Sequence, residues 1–263
     1  MGYEQHGVLP GPNLRFPMHI VTLLDYAIVA VVAFFAAACA GISGYGVGLL
    51  MPLVLVPIAG AEATLPILAA ASIFTNASRL AAFRQEFDRR HAGLILLTAI
   101  PGCIVSAYFY TLLSGRGASL VIGFALLLMV PGRRLLARRQ TYLTRRGIGA
   151  AGIGFGFLNG SAPGVGVVLI SILLATGMTG QAVVATDAGI SLVLGFVKIA
   201  VFQSAGALDL SGWIIAVVIG AAAAPAAFFA RWLVRRLPAR IHITLLDAVV
   251  VVGGLLLIVR AIV

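Results

Sequence analysis

Gly41-Ile42-Ser43-Gly44-Tyr45-Gly46-Val47-Gly48 and Asn159-Gly160-Ser161-Ala162-Pro163-Gly164-Val165-Gly166 lie deep inside apolar sequence and look like one device used twice. Such runs break helices, because glycine is costly to order and proline lacks the amide hydrogen that a helix interior needs. Backbone broken inside a bilayer leaves N–H and C=O groups that are tolerated only where protein buries them or where they line a watery cavity. Two matched breaks therefore point to a solute path at the centre of a membrane protein.

The rest of the chain fits that setting. Hydrophobic residues make up 61% and charged residues 10%, with a mean hydropathy of +1.11, whereas soluble domains carry about 25% charged residues. The runs Ala92 to Leu113 and Ala118 to Val130 carry no charged residue and Ile243 to Val259 only Asp247, near one end, and all three read as spanning helices. The length allows one polytopic unit and no sizeable soluble module. Residues 1–20 are polar and rich in Gly and Pro, and read as a disordered tail. Ala36 and Ala38 form a small-residue site after an apolar run, but that run is long for a signal core and reads as retained. Cys39 and Cys103 show no metal-like spacing and read as small buried side chains. No metal or cofactor is expected.

The net charge of +10 matters through its distribution. Basic residues gather at Arg84, Arg89 and Arg90, at Arg133 to Arg146, and at Arg231 to Arg240, while the connections near 115 and 208 hold only Arg116 and Asp209. The positive-inside rule places the three basic loops in the cytoplasm and the sparse ones outside. Nucleic acid is not the expected partner, since few aromatic residues, Tyr142 among them, are interleaved in these loops to stack a base.

Helices are expected at 22–42, 46–59, 62–83, 92–113, 118–137, 147–161, 164–177, 182–203, 211–233 and 241–262. The segment 164–177 would be about 21 Å long, short of a hydrocarbon core of about 30 Å, so 147–177 reads as a re-entrant hairpin entered from the cytoplasm. The first break should mirror it from outside, although 22–42 is long enough to cross. Each half then has three full crossings, an odd number, which inverts the second half relative to the first. The expected fold is an all-α polytopic membrane protein of two inverted repeats. Its first repeat occupies 21–137, a basic linker 138–146 and the second repeat 147–263, with the carboxyl terminus outside an inner membrane.

Internal matches support a duplication. Gly46-Val47-Gly48 aligns with Gly164-Val165-Gly166 at an offset of 118, and Ser72, Arg79 and Phe83 align with Ser191, Lys198 and Phe202 at 119. The spacings i, i+7 and i+11 put each set on one helix face.

These residues also resemble a known family. The break and proline-containing half-helix Gly48-Leu49-Leu50-Met51-Pro52-Leu53, the stretch Ala-Ala-Ser-Ile-Phe-Thr-Asn-Ala-Ser-Arg at 70–79, and the basic loop Arg84 to Arg90 are similar to those of TauE/SafE sulfite exporters. Ala185-Thr186-Asp187-Ala188, Lys198 and Gly206-Ala207-Leu208-Asp209 resemble them in the same way, so the likeness runs from about 25 to 260. It implies a permease of two homologous halves that moves sulfite, sulfonates, thiosulfate or related small anions.

An anion is also what the breaks themselves would favour. A helix starting near the midplane presents about half a positive charge on its first free N–H groups, and glycine allows close approach. The candidate contacts are Ser43, Gly44, Gly46, Gly48, Asn159, Ser161, Gly164 and Gly166, with Asn76 as a further uncharged ligand and Arg79 and Lys198 as charged guides. The competing reading is that the small residues only let helices pack closely, and that both cations snorkel to the interface. Asp187 is a carboxylate inside a span; it is about 16 Å along its helix from Lys198, and Arg79 is its expected partner, as a structural ion pair or as a proton carrier. Two other functions compete. A passive anion channel would use the same half-helices, and Gly41-Ile42-Ser43-Gly44 is similar to the Gly-x-Ser-Gly of rhomboid intramembrane proteases. The latter requires a histidine base, but His6, His19, His91 and His242 lie in the tail or at helix ends.

Overall fold

A computed structural model describes the backbone of residues 22–43, 46–138, 143–234 and 239–262; the side chains at 39–46, 133–134, 136–138, 224 and 227–246 are outside the description. Among the described residues ten α-helices follow one another: α1 (Leu23–Ser43), α2 (Gly46–Ala59), α3 (Ala61–Ala82), α4 (Arg89–Thr111), α5 (Gly115–Arg138), α6 (Arg145–Ser161), α7 (Gly166–Ala175), α8 (Gln181–Ser204), α9 (Leu210–Val234) and α10 (Ala239–Ile262). A 3-10 turn at Arg84–Glu86 precedes α4. All ten expected segments are present within a few residues.

Local chemistry sets the ends. Asp88 starts α4 by accepting from the amides of Arg90 and His91, and the Thr144 hydroxyl caps α6 by accepting from Gly147. Gly60, with φ of +85°, alone joins α2 to α3, a turn that a side chain would strain. The second break is narrower than its sequence motif. Asn159, Gly160 and Ser161 remain helical, and only Ala162 to Val165 leaves the helix.

Among the described residues, α3, α4, α5 and α8 are long and apolar enough to cross a membrane, and α7 has only 10 residues. Large apolar side chains face outward in quantity, including Leu97 at 75%, Leu210 at 76% and Leu128 at 63% exposure. Water would penalise such a surface and lipid does not. This is a multi-pass membrane protein.

The packing has an internal correspondence. α1 lies on α9 as α6 lies on α4; α3 meets α9 as α8 meets α4; α2 touches α10 as α7 touches α5. The two remaining central pairs, α3 with α8 and α5 with α10, join equivalent elements. Exchanging α1–α5 with α6–α10 therefore leaves this set of neighbours unchanged.

The α4–α6 seam shows what several glycines do. A Cβ at Gly156 would enter the backbone of Ala99, and one at Gly160 would strike the Ser106 hydroxyl and the Cys103 carbonyl. Small residues here let two backbones approach closely. Gly160, read from sequence as part of the break, belongs to this packing.

Candidate functional site

The two breaks meet. A Cβ on Gly48 would lie 2.9 Å from both N and Cα of Gly164, so the beginning of α2 touches the tip between α6 and α7. Gly164 has φ of +76°, and a Cβ there would collide with Leu49. Both features require glycine: one for close approach, the other for backbone angle as well. Val165 at the N-cap of α7 makes no side-chain capping bond, and the Val168 amide donates to the Val165 carbonyl at 2.9 Å, which leaves the Gly166 and Val167 amides as the orphan donors at the tip. On the other arm, the Phe157 and Leu158 carbonyls accept from the Ser161 hydroxyl at 3.1 Å and the Ala162 amide at 2.9 Å. These bonds occupy acceptors at the negative end of α6 that would otherwise oppose an anion.

A second cluster joins α3 to α8. Arg79 Nη2 lies 2.9 Å from Asp187 Oδ2, with the arginine side chain 35% exposed and the aspartate 4%. Arg79 Nη1 donates to Asn76 Oδ1 at 3.3 Å, so Asn76 orients the guanidinium. Asp187 Oδ1 is buried with no hydrogen-bond partner, an arrangement that costs free energy and marks the carboxylate as more than packing. Next to it, the Thr186 hydroxyl accepts the Asp88 amide at 3.1 Å, tying the basic turn before α4 to α8. Burial pushes the Asp88 carboxyl up, but hydrogen bonds from the His91 ring and from the His91 and Arg90 amides outweigh this and hold it below the usual carboxylate range.

Lys198 lies toward the other end of α8. It makes no ion pair or hydrogen bond among the described residues, and stands within electrostatic reach of Cys103. Cys103 in turn approaches Asn159 Oδ1 at 4.0 Å. Ser72 faces Gly195 across the α3–α8 seam, as Arg79 faces Asp187. That antiparallel register brings Lys198 level with Leu68 and Ala69, which are apolar.

Residues 29–257 match the family model described as Sulfite exporter TauE/SafE. The chain belongs to this family. No curated protein and no solved structure matches it. Members are membrane transporters of sulfur compounds, and the serine-protease reading has no support from the family.

Within this TauE/SafE chain, the structure brings together Gly48 with Gly164, and Asn76 with Arg79 and Asp187. Asn159 is joined instead to Cys103, and Lys198 to neither group. Gly166 has open space where a Cβ would point. Ser161 turns its hydroxyl back onto α6. The side chains of Cys39 and Ser43, Gly44, and the surroundings of Gly46 fall outside the description. Sequence reasoning missed Leu49, which fills the space beside Gly164, and Thr186, which anchors the basic turn. An apolar leucine following a glycine run carries no signal of such contact. Thr186 adjoins Asp187, and that adjacency was the one available hint.

Proposed function

We propose that this chain carries a small sulfur oxyanion or organosulfonate, such as sulfite or sulfoacetate, by alternating access at the place where the two breaks meet. The contact between Gly48 and Gly164 carries the reading: two helix breaks abutting inside an apolar bundle have a use in solute passage that close packing alone does not require. The uncapped start of α7 supplies backbone donors for an anion. The exchange symmetry of helix neighbours supports two inverted repeats at about 21–137 and 147–263. The basic loops support an inner-membrane protein with its carboxyl terminus outside.

In this reading Arg79 and Asp187 close the cytoplasmic end of the α3–α8 seam, and Lys198 attracts the anion at the outer end. A proton reaching Asp187 would release Arg79 to the passing anion, which makes Asp187 the candidate coupling residue. The test is counterflow in proteoliposomes with sulfite, sulfoacetate, thiosulfate, and small carboxylates and phosphates. Saturable exchange of a sulfur oxyanion is expected. Preference for a cation or a neutral solute overturns the proposal, and conduction that never accumulates substrate against a gradient identifies a channel. A periplasm-active reporter should be active after Val263 and silent at Arg139; the reverse removes the inverted arrangement.

A further inference from the structure

A hollow of about 280 Å³ lies where the starts of α4 and α6 meet the end of α7. Arg90, His91 and Arg145 line it, with Thr176 as a wall and Leu94 and Ile148 as an apolar floor. The loop carrying it is pinned by the Leu143 amide, which donates to the Ala175 carbonyl at 2.8 Å. Among the described residues no carboxylate lines the hollow. Asp88, close by in sequence, is already engaged: Oδ1 accepts the amides of Arg90 and His91 at 2.9 and 3.0 Å, and Oδ2 meets His91 Nδ1 at 2.7 Å. Among the described residues Arg90 and Arg145 make no ion pair, and His91 makes its one ring contact through Nδ1.

Exposed apolar side chains run along both helices beyond the arginines. On α4 the column is Arg90, Leu97 and Ile104, spaced i, i+7 and i+14, with the leucine 75% and the isoleucine 43% exposed. On α6 the exposed apolar residues are Ile153 and Phe157, at 57% and 51%, eight and twelve residues beyond Arg145 and about 80° to 120° round the helix from it. Fourteen residues of helix extend about 21 Å, the scale of one leaflet's acyl chains. A free inorganic anion would use the arginines and leave these apolar faces unused.

We propose that this hollow binds the phosphate of an anionic phospholipid whose acyl chains lie along the paired outer faces of α4 and α6. The assignment requires only that these helix ends lie at a membrane surface, and is independent of the transported solute. Arginine suits the task because its planar fork holds a phosphate through two hydrogen bonds.

The test uses the full chain in nanodiscs of phosphatidylcholine with a minority of phosphatidylglycerol, with retained lipid read by native mass spectrometry after release into detergent. Phosphatidylglycerol should be retained selectively. Arg90→Gln and Arg145→Gln should each lower retention about fivefold, and together about 25-fold. Arg90→Lys with Arg145→Lys should keep most of it while unfolding at the same temperature as the parent. Arg116→Gln, at the opposite end of the bundle, should change nothing. Equal retention in the double glutamine variant, or equal loss on Arg116→Gln, overturns the proposal. Displacement of the lipid by millimolar inorganic phosphate or sulfite would instead assign the hollow to free anions and overturn the lipid.

Discussion

Arg79 and Lys198 occupy matching places in the two halves of the chain, yet the molecule treats them differently. Arg79 is held by a buried carboxylate at 2.9 Å and steadied by Asn76, while Lys198 has neither an acid nor a hydrogen-bond partner among the described residues. At the offset that aligns Arg79 with Lys198, Asp187 aligns with Leu68, so in the proposed repeats the cations come as a pair and this carboxylate only once. The seam between α3 and α8 is therefore latched at one end and open to a counter-ion at the other. A transporter whose two ends were electrostatically identical would have no means of coupling one gate alone to a proton.

The strongest way to break this contrast is to remove one side of the latch. Arg79→Leu leaves Asp187 charged and buried, which should cost about 3–5 kcal/mol of stability. Asp187→Leu should cost less, because the arginine is one-third exposed and can turn to water. The double replacement should recover most of the loss in denaturant or thermal unfolding of the purified protein, and transport should remain impaired. If Lys198→Leu destabilises as much as Arg79→Leu, the two cations are held alike and the asymmetry is an illusion.

The sequence made much of this legible, and for a physical reason. Bilayers demand long apolar runs, loop charge reports sidedness, and intramembrane carboxylates are rare enough that Asp187 pointed to Arg79 before any coordinates. What remained hidden depends on distance between segments far apart in the chain. Gly156 and Gly164 look alike in sequence; one seats α6 on Ala99 and the other meets Gly48 at positive φ. Only the folded backbone separates a packing glycine from a break glycine. The position of Leu49 and the narrowing of the second break to Ala162–Val165 were hidden for the same reason.

The breaks offer the next test, comparing glycines that have no room with one that does. Gly48→Val and Gly164→Val should each abolish transport, and the second should also destabilise by about 2–4 kcal/mol through overpacking and backbone strain. Gly166→Val points its side chain into open space. It should leave unfolding unchanged and still reduce transport, because the methyl groups occupy the approach to the α7 amides. Normal transport by Gly166→Val would move the solute path away from this helix start.

Lys198 sharpens the comparison from its open end. Lys198→Gln removes the charge without creating an orphaned carboxylate, so expression and unfolding should match the parent. If the lysine guides an anion, apparent affinity should fall about tenfold to a hundredfold, the worth of one charge-assisted hydrogen bond, and Lys198→Arg should restore most of it. Unchanged exchange in Lys198→Gln would return the residue to a snorkelling role.

Ser161 should give the smallest effect, and its size separates a transporter site from a nucleophile. Its hydroxyl hydrogen is donated to the Phe157 carbonyl at 3.1 Å, so in this arrangement it can offer a ligand only an acceptor lone pair, which an anion does not want. Ser161→Ala should therefore shift counterflow affinity by less than about 1 kcal/mol, roughly fivefold, and leave the maximal rate alone. The backbone amides at the start of α7 are untouched by this change, so an anion held by them should not register the missing hydroxyl. A complete loss of exchange in Ser161→Ala, alongside normal exchange in Gly164→Val, would reverse the expected order. The binding role would then have to pass from the helix start to the side chain.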